Sequence, residues 1–403
     1  MKRVFFRGWR WGIAAVFAAL LIFLNKEIPA VEKSQDFLAA LFFPSSISLE
    51  ELRSDYRDNN LHVLIIPGHD NESWGTEYKN IYEADLTLAV AKYLTTLLRA
   101  DPAFRVTTTR ENGTYTATFK DYFENQEAAI KQFKKEKAVL MQAATQVGFE
   151  ERTAVIHNNV NRDVAFKLYG INKWANDHDV DLALHLHFND YSGRRQNQVG
   201  RYSGFVIYVP ERQLPNAKTS RAIAQPIFNQ LNRILTVSDL PQESAGIVED
   251  QELIALGVNT SLDAASLLIE YGYVYELPFR DEVIRDVFFQ ELAYQTYLGL
   301  KKALDPNFHV ASEQESLLLP HQWNKNLGVG ARGSKDVLAL QIALIREGVY
   351  PPAGKDCPVS SNFFECTETA VKAFQNKYNL RSHGIVDAMT LKKLNELYGT
   401  LAL

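Results

Sequence analysis

The chain reads as an α/β protein: an open, mostly parallel sheet flanked by helices, with a small three-helix C-terminal domain and an N-terminal membrane anchor helix. Three observations predict this. A β-rich run at 61–67 (LHVLIIP), a helix-spaced stretch at 83–98 and a second β-rich run at 104–109 (FRVTTT) follow one another with short connections. That strand–helix–strand order is the signature of a parallel sheet. Residues 330–398 carry three amphipathic stretches, at 334–347, 368–378 and 388–397. Finally, Lys2, Arg3, Arg7 and Arg10 precede an uncharged apolar run from Trp11 to Leu24.

That apolar run is shorter than the ~20 residues that span a bilayer comfortably. Extension through 4–9, with Arg7 and Arg10 snorkelling, makes up the length. Ile28-Pro29-Ala30 is a poor cleavage site, which favours an anchor over a signal peptide. The positive end stays in the cytoplasm, so the remainder is expected outside it, held at the cell membrane by a single N-terminal pass. The alternative is a secreted or periplasmic chain after signal cleavage.

Between 31 and 60 the chain is polar, as a stalk or packed lead-in would be. Residues 61–304 form the main domain. Beyond its first three elements, a helix is expected at 163–179, strands at 181–189 and 204–209, a helix at 219–235, a buried strand at 265–271 and a closing helix at 285–304. A Lys/Glu/Gln/Ala-rich insert at about 111–161 interrupts this rhythm with one or two exposed helices. Residues 305–329 lack periodicity and read as a linker to the domain at 330–403.

Composition narrows the function. Lys and Arg number 43 against 48 acids, a net charge of −5, which argues against a nucleic-acid partner held by bulk positive charge. Two cysteines, Cys357 and Cys366, exclude a disulfide-framework fold and a cysteine-built zinc module, and leave room for one local bridge.

A zinc hydrolase needs three His or carboxylate ligands that converge where the strands of the sheet end, with one position left for water. Three residues meet that positional test. His69 follows a strand and a Pro-Gly turn, Glu83 opens the next helix, and His187 lies near the end of the strand at 181–189. Each has a plainer reading: a loop histidine, a helix-dipole glutamate, a strand-surface histidine sharing its face with His185. Glu270 is a fourth candidate, since an ionised side chain inside the apolar strand SLLIEYGY is costly to bury unpartnered.

Together these residues resemble the zinc-dependent N-acetylmuramoyl-L-alanine amidases. Ile66-Pro67-Gly68-His69 is similar to the family's Asp-Pro-Gly-His-Gly, and Glu83 to its helix-opening glutamate. Ala175-Asn176 followed by Leu182 to Asn189 resembles its Ala-Asn and Ser-Ile-His-Ala-Asn, so that His187 and Asn189 fall on its His and Asn. Leu268-Ile269-Glu270-Tyr271-Gly272-Tyr273 is similar to Leu-Val-Glu-x-Gly-Phe. The resemblance implies an amidase-like fold with Zn2+ held by His69, Glu83 and His187, and Glu270 as the catalytic carboxylate. The family's second glycine is Asp70 here, its serine two residues before the last ligand is His185, and its arginine upstream of Ala-Asn has no evident match.

The tail resembles the peptidoglycan-binding domain often appended to wall hydrolases, through Gly330-x-Arg332-Gly333, Leu340-Gln341, Phe374-Gln375 and Gly384-x-Val386-Asp387-x-x-Thr390. What the two resemblances imply is an exported enzyme with peptidoglycan as substrate and as tail-domain ligand, cutting the amide between N-acetylmuramic acid and L-alanine. The alternatives are a catalytically inactive peptidoglycan-binding scaffold or regulator, and an exported zinc peptidase acting on protein. An activator protein is left open. The charged insert is expected to fold over the cleft, and Cys357 and Cys366 could pair once exported.

Overall fold

The computed structural model describes residues 47–146, 161–212, 214–250, 253–256, 264–311, 315–355 and 357–399. The apolar N-terminal run lies outside them. Among the described residues no helix is long and apolar enough to cross a membrane.

The first element, α1 (Leu49–Arg57), is fixed by a capping box between Ser48 and Glu51 and buries Leu52. β1 (Leu61–Pro67) is buried along its whole length, as an apolar run covered on both faces must be. A short hairpin of β2 (Glu77–Tyr78) and β3 (Ile81–Tyr82) leads into α2 (Glu83–Ala100), and β4 (Phe104–Thr108) returns to the sheet. A second hairpin, β5 (Arg110–Glu111) and β6 (Thr114–Tyr115), opens the charged insert, which forms α3 (Ala117–Asn125) and α4 (Glu127–Gln146). Next come α5 (Arg162–Asp177), β7 (Leu182–Asn189), β8 (Val206–Pro210), α6 (Ala217–Leu231), β9 (Ile247–Asp250), β10 (Ala265–Tyr273), the short α7 (Leu277–Arg280) and α8 (Arg285–Leu304).

The six-stranded sheet has the order β4-β1-β7-β10-β8-β9. Its first four strands are parallel, β8 runs antiparallel to β10, and β9 is parallel to β8. The expected strands are all present, and β9 (IVED) is an addition. Four residues, half of them acidic, carry no strand periodicity of their own.

Alternation along the strands divides the core. Val63, Ile65, Leu184, Leu186, Leu267 and Ile269 pack under α2, α6 and α8, while Leu64, Ile66 and Ala183 face α3, α4 and α5. The insert contributes to this second layer. Phe119 packs against Trp174 with ring centroids 4.8 Å apart and planes inclined at 45°, and Phe123 and Ile130 are buried beside it. Apart from the buried Lys137, its charged residues therefore form the outer face of helices anchored on α5.

The C-terminal helices are α9 (Lys335–Arg346), α10 (Glu365–Lys377) and α11 (Ala388–Tyr398). Cys357 and Cys366 are joined by a disulfide. The segment leading in buries Leu318, Leu319 and Trp323, and the Trp323 indole donates to the Asp336 carbonyl at 2.9 Å. Across the junction, the Ser361 N–H donates to Asp281 Oδ2 at 3.2 Å, and the larger apolar core runs through both parts.

Candidate active site

In a parallel sheet the loops at the carboxyl ends of the strands share one edge, which is where this site forms. After β1 the chain turns through Gly68, whose N–H donates to the Leu186 carbonyl at 2.9 Å. A Cβ on Gly68 would lie 2.3 Å from the His187 ring, so only glycine lets the turn pass. The next residue, His69, is held in the left-handed region at φ 63°, a strained conformation of the kind that collects at functional sites.

Glu83, the first residue of α2, is buried between the two histidines. Its Oε2 lies 3.1 Å from His69 Nε2, and its Oε1 2.9 Å from His187 Nδ1. Backbone N–H groups of Thr76 and Phe188 also donate to it, at 3.0 and 3.2 Å. One ligand atom from each of His69, Glu83 and His187 can be chosen so that all lie within 4.8 Å of one another. Donors about 2.0–2.2 Å from a tetrahedral zinc sit roughly 3.4 Å apart, so two imidazoles and a carboxylate at this spacing fit such an ion.

The same three groups perturb each other's protonation. Burial alone would raise the Glu83 carboxyl; the charge of His69 and hydrogen bonds from His187 and His69 outweigh it and hold it well below the carboxylate range. Burial pushes His187 down against the pull of Glu83. For His69 burial is the largest influence and opposes charging, yet the charge and hydrogen bond of Glu83 leave it raised.

Glu270 stands on β10 directly in register with His187 on β7. Its Oε2 is buried and has no hydrogen-bond partner. Burial, then the negative charges of Glu83 and Glu243, push this carboxyl well above its ordinary value. The structure thus brings together all four candidates.

Glu243 was not legible in the sequence. It is 1% exposed and accepts from Asn189 Nδ2 at 2.9 Å, Tyr208 at 2.7 Å, Tyr273 at 3.1 Å and Ser238. Asn189, matched above to an asparagine of the resembled family, is spent on holding Glu243.

Arg110 was missed too. It immediately follows the strand at 104–109, the positional test that singled out the histidines. Its guanidinium is buried and donates to the carbonyls of Pro67, Gly68, Ala84 and Gly113.

Two of the three departures from the family pattern have separate accounts. Asp70 accepts from the N–H groups of Glu72 and Ser73 and from Lys167 at 2.9 Å, closing a tight loop that a glycine would leave open. His185 is buried with both ring nitrogens unpartnered, and burial pushes it down to about 3, so it is neutral.

Gly75 gives a direct check on how tightly this edge is packed. It has φ +75°, and a Cβ there would lie 2.5 Å from Glu83 Oε2 and 2.6 Å from the His69 ring. Gly75→Ala is expected to cost about 1–3 kcal/mol, seen as a lower urea midpoint with an unchanged slope.

Comparison with known proteins follows the same division of the chain. Residues 63–302 match the N-acetylmuramoyl-L-alanine amidase family model, and residues 333–394 match a peptidoglycan binding domain. A Haemophilus influenzae protein named Probable N-acetylmuramoyl-L-alanine amidase AmiB is 24% identical over 251 residues, 59% of this chain and 51% of that protein. The chain therefore spans about half the length of this curated relative.

Among solved structures, an N-acetylmuramoyl-L-alanine amidase from Clostridium difficile 630 is 20% identical, with a TM-score of 0.39, covering 62% of this chain and 100% of its own. The CwlD amidase from Clostridioides difficile, in complex with the GerS lipoprotein, is 15% identical, with a TM-score of 0.40, covering 61% and 98%. The first family model spans more than half of the 403 residues. The chain belongs to the N-acetylmuramoyl-L-alanine amidase family and carries a C-terminal peptidoglycan-binding domain.

Proposed function

We propose that the protein is an exported, zinc-dependent amidase that cleaves the bond between N-acetylmuramic acid and L-alanine in peptidoglycan. The observation that carries this reading is the convergence of His69, Glu83 and His187 with Glu270 beside them in register. These three residues would hold the ion. The chemistry zinc supplies when bound is Lewis acidity toward a water and toward the scissile carbonyl.

Glu270 does the proton work. A buried carboxyl with one free oxygen and a raised proton affinity is a stronger base than an exposed one, and suits taking a proton from the attacking water. The same oxygen then hands that proton to the departing alanine amine. Glu243, held in place by its donors, adds to the raising of the Glu270 carboxyl.

The C-terminal domain would hold the enzyme on an insoluble polymer and raise the local substrate concentration. Export rests on the charge and apolar pattern of residues 1–30, with a membrane-held chain as the favoured form. The Cys357–Cys366 disulfide suits an oxidising compartment.

The test is zinc content together with release of stem peptides from purified peptidoglycan, for the wild type and Glu270→Gln. Expected are about one zinc per chain in both, and new L-alanine amino termini from the wild type. The variant should be slower by about 10²–10⁴-fold. A wild type that takes up no zinc but still binds the wall would make the chain a scaffold, and one that releases peptides from casein instead would make it a peptidase.

A further inference from the structure

Three tryptophans fall within the described residues. Trp174 and Trp323 are buried at 4% and 2% exposure, whereas Trp74 is 41% exposed. A large apolar ring left in water beside a catalytic centre calls for a reason. Trp74 lies against Tyr82, with ring centroids 4.9 Å apart and planes inclined at 44°. The polar tips of the two rings make no hydrogen bond with the described residues. The pair therefore presents an apolar surface edged by two free donors.

Its position is set by the site. Trp74 is joined to Gly75, where an added Cβ would lie 2.5 Å from Glu83 Oε2 and 2.6 Å from the His69 ring, and Tyr82 directly precedes Glu83. The Ala84 N–H donates to the Trp74 carbonyl at 3.0 Å, and the Thr76 N–H donates to Glu83 Oε2. On the other side, the Asp70 carboxylate and carbonyl bind Ser73. The loop that carries Trp74 is thus tied down on both sides and needs little ordering when a ligand arrives.

The amidase reading, on which this inference rests, says what that ligand is. In an N-acetylmuramoyl-L-alanine amide, three covalent bonds separate ring carbon C3 from the scissile carbonyl carbon. A substrate with that carbonyl beside His69, Glu83 and His187 must therefore place its sugar ring within one residue's reach of them. Pyranose rings bind through apolar C–H faces with hydroxyls at the rim, which is the complement of an amphipathic aromatic pair.

We propose that Trp74 and Tyr82 form a saccharide platform on which the muramyl ring stacks, so that the enzyme recognises the sugar side of the bond as well as the peptide side. The probe is the peptide-free disaccharide of N-acetylglucosamine and N-acetylmuramic acid, titrated into the full chain by isothermal calorimetry, a readout that does not depend on the ring being replaced. The wild type, Trp74→Ala and Trp74→Tyr are compared, with zinc content measured in each.

The proposal expects Trp74→Ala to weaken disaccharide binding by about tenfold and Trp74→Tyr to restore most of it. Zinc content should be equal in all three. On a soluble muramoyl peptide, Trp74→Ala should raise KM by about the same factor with kcat within about twofold. Disaccharide binding unchanged in Trp74→Ala, or confined to the C-terminal domain, overturns the platform. Loss of zinc in Trp74→Ala also overturns it, by making the ring a structural support. Disaccharide binding that depends on Trp74 in a wild type that cuts no muramoyl amide would sustain the platform and remove the amidase reading instead.

Discussion

Replacing Glu83 with glutamine is expected to empty the proposed metal site while leaving the fold intact. Glu83 is buried, and both of its oxygens act as acceptors, one toward each histidine. An amide of the same shape offers one acceptor and one donor, so one histidine nitrogen meets an N–H in place of a lone pair. The negative charge also disappears from between the two imidazoles, and with it the charge that favours a divalent cation. With the amide oxygen facing the Thr76 N–H, the loop from Asp70 to Thr76 keeps its tie and the Phe188 N–H on β7 loses its acceptor instead, a cost that the paired strand can carry.

Zinc affinity should fall by more than the roughly 10–100-fold typical of residues that only support a ligand, so that dialysed protein retains well under one ion per chain. Peptide release should fall by about 10³-fold or more, because the Lewis acid is gone. Atomic absorption and far-ultraviolet circular dichroism on the same sample separate loss of metal from loss of fold. Wild-type zinc in Glu83→Gln would assign the site a different ligand set, with His185 the next candidate on the face of His187.

The strands that build this site were readable because each is a short, nearly continuous apolar run bounded by turn residues. The parallel order followed from the spacing of 61–67, 83–98 and 104–109. Three of the four proposed site residues announced themselves by lying at the carboxyl ends of strands or the first position of a helix. Glu270 was visible as a charge inside an apolar strand.

Glu243 gave no such signal. It lies in the loop SDLPQESAG, and only the folded chain brings it under Asn189, Tyr208 and Tyr273. The second apolar layer was equally hidden, since the insert's charged composition describes its outer face and says little of Phe119, Phe123 and Ile130 beneath. Local pattern records which face of an element is wet; it does not record which distant element dries the other face.

Arg110 shows what that hidden layer of contacts is worth. Its side chain is 1% exposed and has no carboxylate in ion-pair range among the described residues. Burial lowers its proton affinity, with Tyr115, Asp70, Asp85 and Glu83 pulling the other way. Carbonyl dipoles compensate its charge: Nε donates to Pro67 at 3.3 Å, Nη2 to Gly68 at 3.0 Å and Ala84 at 3.1 Å, and Nη1 to Gly113 at 3.3 Å. One planar group thus ties the end of β1, the turn before His69 and the first turn of α2 together. No other side chain offers donors in that fork, and lysine keeps the charge but not the reach.

Arg110→Met fills the volume and strands these acceptors. The single Thr87 hydroxyl can still donate to one of Gly68 and Ala84, which limits the loss to about 3 kcal/mol. For a domain of this size that corresponds to a fall in Tm of roughly 6–12 °C. The ordering expected is wild type above Arg110→Lys above Arg110→Met, in both Tm and zinc affinity. Zinc affinity follows because His69 keeps its left-handed backbone only while the turn before it is held. If Arg110→Met melted with the wild type, Pro67 and Gly68 would be held by the sheet alone. If it melted early yet kept full zinc affinity, the strain at His69 would be maintained by Gly75 and Glu83 without help from the arginine.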